Sequence, residues 1–196
     1  MKKEQFEWIH SWCDETQGED LPRVLLVGDS ITYGYQECVR EKLRGVCYVD
    51  YVSTSYAIDT RMYNELVKNF ASDSRYAVIH FNHGLHGKHI SKRSYAARLK
   101  KLLSILEKNS KIILALTTFV YKEGNKRPDT SWMKRVKERN EVMMALAQEK
   151  GYAIDDLYTV SVEMDKAKRF EDGTHYLADG YEIFANAVAE SIKTAL

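Results

Sequence analysis

The sequence predicts an α/β protein, a three-layer α/β/α sandwich around about five mostly parallel strands. Apolar runs of six or seven residues recur at 23–28, 47–52, 76–81 and 111–117, with a shorter one at 152–154. Segments with apolar residues at helical spacing separate them, so strands and helices alternate as in βαβ units. The runs are apolar almost throughout, as in strands of a parallel sheet covered on both faces.

Residues 3–14 carry Phe6, Ile9 and Cys13 at helical spacing and predict an amphipathic helix packed outside the sheet. Pro22 opens and Gly28 closes the first strand, and Tyr35 to Leu43 continue as a helix with Val39 and Leu43 on one face. The second strand, 47–52, runs into the small, polar loop 53–60, and helical spacing resumes from Met62 to Phe70. The third strand, 76–81, ends at Asn82-His-Gly-Leu-His-Gly87. Ser91 then opens a helix to about residue 108. After the fourth strand, 111–117, comes a polar loop with Pro128, then a helix from Trp132 to Lys150 closed by Gly151. The short fifth strand exits at Asp155-Asp156, and a last helix spans about 178–195. No repeat or linker divides the chain, which reads as one domain, 1–196.

At 196 residues a sizeable core is expected, and 29 basic against 28 acidic residues leave a net charge of +1. Such a balance gives no field for nucleic acid or a membrane surface. Three unpatterned cysteines argue against a disulfide framework, and the charged N-terminus lacks the apolar core of a signal peptide. A cytoplasmic location is expected, unless a leader has been removed.

In this arrangement Ser30 stands at the carboxyl end of the first strand, where ligands bind in open α/β sheets. Taken alone, Ser30 reads equally well as a helix N-cap. A serine nucleophile needs a base, commonly a histidine oriented by a carboxylate. Asp172-Gly-Thr-His175 offers both, just before the last helix, on the same sheet edge. The order is then Ser30, Asp172, His175. Asp29 is expected to bond backbone groups and hold its turn.

Gly28-Asp29-Ser30 together with Asp172-x-x-His175 resembles the SGNH (GDSL) hydrolase superfamily, over nearly the whole chain. The resemblance implies a flavodoxin-like fold, ester hydrolysis through a covalent acyl-enzyme, and no cofactor. Two middle blocks depart from the family pattern. Ala57 stands where a glycine usually lends its N–H to the oxyanion hole. His86 stands where the asparagine of Gly-x-Asn-Asp usually donates, and Gly87 replaces the aspartate. The implied oxyanion hole is therefore the N–H groups of Ser30 and Ala57 with the His86 side chain, and Asn82 as its alternative. An asparagine amide always donates, whereas a neutral imidazole donates from one nitrogen only.

Tyr33, Tyr56 and Tyr176 near this edge are candidates for a substrate wall, although tyrosine also commonly sits half buried for packing alone. His83, His86 and His89 share no face and have no cysteine beside them, so no metal site is expected. The glycines match neither a phosphate loop nor a dinucleotide fingerprint. The expected substrate is a small-molecule or carbohydrate ester, by family analogy a short acyl group such as acetyl. Two other readings stay open, a catalytically impaired binding protein for an acylated glycan and an acyltransferase.

Overall fold

The computed structural model describes residues 3–196. Its strands are β1 (Ile9–Trp12), β2 (Arg23–Gly28), β3 (Tyr48–Thr54), β4 (Tyr76–Asn82), β5 (Lys111–Ala115) and β6 (Ala153–Asp155). They form one sheet in the order β1-β3-β2-β4-β5-β6, with β1 antiparallel to β3 and every other pair parallel. β2 lies between β3 and β4, so the winding reverses there. The carboxyl end of β2 is the topological switch point, where a crevice opens.

The helices are α1 (Ser30–Lys42), α2 (Arg61–Asp73), α3 (Lys92–Leu106), α4 (Thr130–Lys150), α5 (Leu157–Glu163) and α6 (Ala178–Ala195). Side chains of Asp29, Thr60, Ser91, Asp129 and Asp156 cap the first five by accepting N–H groups of the first turn. Each such cap is worth about 1 kcal/mol and sets where the chain turns into its helix. Successive residues of β2 face opposite layers. Val24 and Leu26 pack with Tyr35 and Val39 of α1 and Phe184 and Val188 of α6. Leu25 and Val27 pack on the other face with Tyr63 and Val67 of α2, Leu99 and Leu103 of α3, and Met143 of α4.

Residues 3–14 do not form the expected helix. Ile9–Trp12 instead pairs with Tyr51–Thr54 as an antiparallel edge strand, all four residues exposed. Its sequence, Ile-His-Ser-Trp, suits a strand, and pairing with the open edge of β3 outweighs the local helical spacing. Phe6, at the centre of that expected apolar face, is 76% exposed. The sheet accordingly has six strands instead of five. β3 also continues to Thr54, into the stretch expected as loop, because β1 covers it there. α1 starts five residues before Tyr35, and α5 was not expected, since its seven residues are too few to show a period. Cys13, Cys38 and Cys47 are free thiols. Among the described residues no helix is long and apolar enough to cross a membrane.

Candidate active site

The turn after β2 brings the first group into place. Gly28 lies so close to its neighbours that a Cβ there would collide with Thr32 and with the carbonyl of Asn82. Asp29, fully buried, caps α1 by accepting the Ile31 N–H at 3.0 Å. Its other carboxylate oxygen accepts the N–H groups of Gly84 and Leu85, each at 3.2 Å. Asp29 therefore holds its turn as expected, and it also ties that turn to the loop after β4. Because Asp29 is the cap, Ser30 is not; it is the first residue of α1, with its Oγ free for another partner.

That partner is His175, whose Nε2 lies 2.7 Å from Ser30 Oγ. His175 Nδ1 lies 2.5 Å from Asp172 Oδ2. The other Asp172 oxygen accepts the N–H groups of Thr174 at 2.8 Å and His175 at 2.9 Å, closing the turn on itself. Gly173 takes a left-handed φ of 78°, and a Cβ there would strike the Tyr121 carbonyl. The Tyr121 N–H in turn donates to the Gly173 carbonyl at 2.8 Å, so the turn is seated on the loop after β5. Burial alone would raise the Asp172 carboxyl. The hydrogen bond from His175, the two backbone N–H groups and the His175 charge together hold it below its ordinary value. A carboxylate on Nδ1 makes that nitrogen the donor and leaves Nε2 a lone pair facing the serine.

Ala57 sits buried in the turn between β3 and α2, its carbonyl taken by Thr60 and its N–H without a protein acceptor among the described residues. A Cβ on Gly87 would come within 2.7 Å of the Ala57 Cβ. The two departures from the family pattern thus fit each other: the extra methyl at 57 occupies space that a side chain at 87 would need. His86 places Nδ1 3.0 Å from Glu4 Oε1, and its ring stands at 82° to that of Trp8, with centroids 6.1 Å apart. Its Nε2 is buried and has no partner among the described residues. Asn82, the last residue of β4 and the register partner of Gly28, also has a buried amide nitrogen without a partner. Both candidates for the third donor stand on the β4 end of the crevice.

Arg139 of α4 is only 2% exposed. Its guanidinium donates to the carbonyls of Gly84 and, at 2.8 Å, Gly87, and it lies over the Tyr95 ring. Asp29 from one side and Arg139 from the other thus grip the backbone that carries His86. Neither Arg139 nor Glu4 stood out in sequence. An arginine in a helix rich in charge reads as solvated, and Glu4 lay in a stretch read as helix.

The tyrosines divide. Tyr33 is 45% exposed and stacks on His10 at 4.3 Å. Tyr56 borders an open groove of about 450 Å³ with Arg61 and Met62. Tyr176 is only 4% exposed, its ring edge-on to Phe184 at 4.7 Å, so it belongs to the core and offers no wall to a ligand. The loop histidines take separate partners. His89 bonds Asp59 at 2.9 Å, His86 bonds Glu4, and His83 lies over Tyr63 with ring centroids 4.3 Å apart. His80 is a core histidine bonded to Asp155 at 2.9 Å.

A hydroxyl hydrogen-bonded to an imidazole that is itself bonded to a carboxylate is an arrangement able to perform nucleophilic acyl transfer. No protein-family model and no curated protein matches the chain. Solved structures do. An alpha/beta hydrolase enzyme from the metagenome of Lake Arreo, Spain, superposes with a TM-score of 0.73 at 14% identity, over 89% of this chain and 96% of that one. The acetylxylan esterase Axe2 of Geobacillus stearothermophilus gives 0.69 at 17% identity, over 87% and 94%. The C-terminal catalytic domain of Streptococcus pneumoniae peptidoglycan O-acetyltransferase A gives 0.67 at 20% identity, over 89% and 94%. The chain therefore has the fold of these three enzymes along most of its length.

Proposed function

We propose that the protein is a serine acylhydrolase of the SGNH type that cleaves a short-chain carboxylic ester through an acyl-enzyme. The hydrogen-bonded chain from Ser30 through His175 to Asp172, at 2.7 and 2.5 Å, carries this reading. His175 Nε2 takes the proton of Ser30 Oγ as that oxygen bonds to the ester carbonyl carbon. The carbonyl π pair moves onto its oxygen, which accepts hydrogen bonds from the N–H groups of Ser30 and Ala57 and from His86. When the tetrahedral species collapses, the alcohol leaves with the proton from His175. Water then attacks the acyl-enzyme with His175 again as base, and the acid departs. Asp172 keeps the imidazole in the required tautomer and stabilises its charged form. The N-terminus of α1 directs its dipole at the same developing charge.

His175 and Asp172 side chains are each 39% exposed, which suits an ester carried on a bulky alcohol such as a carbohydrate. Tyr33 and Tyr56 are the candidate contacts for that alcohol. The names of the fold neighbours, an acetylxylan esterase and a peptidoglycan O-acetyltransferase domain, agree with an acetyl group on a sugar. The test is hydrolysis of p-nitrophenyl acetate and labelling by a fluorophosphonate. Ser30→Ala is expected to abolish labelling and lower the rate by at least ~10³-fold. Equal rates for the two proteins would sink the reading. Acyl transfer to an added sugar faster than hydrolysis would identify the same chemistry as a transferase.

A further inference from the structure

We propose that His86 donates to the oxyanion as an imidazolium tied through Nδ1 to Glu4, which makes the N-terminal segment part of the catalytic apparatus. This rests on the serine acylhydrolase reading above and adds to it a second histidine with the opposite charge requirement.

Tautomer chemistry comes first. The Glu4 carboxylate only accepts, so the proton shared across the 3.0 Å contact sits on His86 Nδ1. In a neutral ring Nε2 is then a lone pair, which would repel an oxyanion. A second proton turns Nε2 into a donor. That atom is buried and has no other partner among the described residues, so a proton there is not already committed to a protein acceptor.

The groups around the ring favour that second proton. Glu4 and Glu7 face it from the N-terminal segment and Asp29 from the turn after β2. Glu7 is held in place by the Ser55 hydroxyl at 2.8 Å. His83, on the same loop, has its ring 5.9 Å from that of His86. Burial pushes His83 down to about 4, so it stays neutral and does not repel its neighbour. Burial also opposes the charge on His86. The Glu4 hydrogen bond and the three carboxylates outweigh it and move His86 above its ordinary value. Turnover then needs His175 neutral and His86 charged together, and the asparagine of the family pattern would impose no second condition.

The test is the pH profile of kcat/KM for p-nitrophenyl acetate from about pH 5 to about pH 10. Wild type is expected to give a bell whose alkaline limb is the deprotonation of His86. Glu4→Gln should move that limb down by about 1 pH unit, the usual effect of losing a carboxylate partner. His86→Asn, which replaces the titrating donor by an amide, should lose the limb from whatever hydrolysis remains. Histidine ¹H–¹⁵N NMR titration of Ser30→Ala with and without Glu4→Gln reads the same shift at His86 without any turnover. An alkaline limb unchanged by Glu4→Gln, or one that persists in His86→Asn, overturns the coupling. Ser30→Ala as active as wild type would overturn the hydrolase reading instead.

Discussion

Asp29→Asn changes the shape of one buried side chain hardly at all, yet it disturbs both the serine turn and the loop that carries His86. The carboxylate accepts three backbone N–H groups, those of Ile31 at 3.0 Å and of Gly84 and Leu85 at 3.2 Å each. An amide has one acceptor oxygen, and its NH₂ cannot face a donor. Kept toward Gly84 and Leu85, the oxygen leaves Ile31 unbonded; turned the other way, it leaves two groups unbonded. The first arrangement wins. One buried N–H then goes unsatisfied, and two charge-assisted bonds become neutral ones. At about 1–3 kcal/mol for the orphaned group and about 0.5–1 kcal/mol for each weakened bond, the cost is about 2–5 kcal/mol. That is within the stability of an ordinary domain, so the variant still folds. Urea unfolding followed by far-UV circular dichroism measures it. The control is Asp156→Asn, whose carboxylate caps α5 at the exposed Thr159 N–H, 3.0 Å away, where asparagine serves as well as aspartate. If Asp29→Asn costs no more than Asp156→Asn, Asp29 does not join the two loops.

Two further outcomes follow from groups near the same edge. Burial lowers His83 from 6.5 to about 4, so below 6.5 the unfolded chain takes up a proton that the folded one refuses. Stability is therefore full above about pH 6.5 and falls as the pH drops toward 4, by about 3 kcal/mol in total. Unfolding midpoints across that range should show the slope in wild type and lose this contribution in His83→Asn. Gly173→Ala forces a side chain into a left-handed turn against the Tyr121 carbonyl. It should displace His175 and lower kcat by ~10²-fold, while far-UV circular dichroism stays unchanged.

How much of this was legible in sequence depends on how locally each feature is encoded. Strands 23–28 and 76–81 could be read because nearly all their residues are buried on both faces and are therefore apolar, Arg23 and His80 apart. Ser30, Asp172 and His175 were legible as a set because the alternation of strands and helices places all three on one edge, whatever the details of packing. Tyr176 could not be placed: whether a residue one position beyond His175 faces solvent or core depends on how α6 seats, and only the packing against Phe184 decides it. Arg139 was hidden for the same reason. Its role depends on carbonyls 55 and 52 residues away in sequence, which no local pattern records.

The N-terminal edge strand and the histidine at position 86 are linked in the structure. As a helix, residues 3–14 would have packed outside the sheet and contributed nothing to chemistry. As an edge strand, Ile9–Trp12 is pinned by its register with Tyr51–Thr54, so the residues just before it must pass the carboxyl end of β3. Trp8 accordingly donates its N–H to Ser55 Oγ at 2.8 Å, and Glu4 reaches His86. An asparagine at position 86 would need no such neighbour, since its amide donates in every state. A histidine there needs a carboxylate to set its tautomer and favour its charge, and none of the loops at the parallel strand ends supplies one to Nδ1. The segment leading into the antiparallel strand does, through Glu4 at 3.0 Å, so the pairing of Ile9–Trp12 with β3 is what brings a carboxylate to His86.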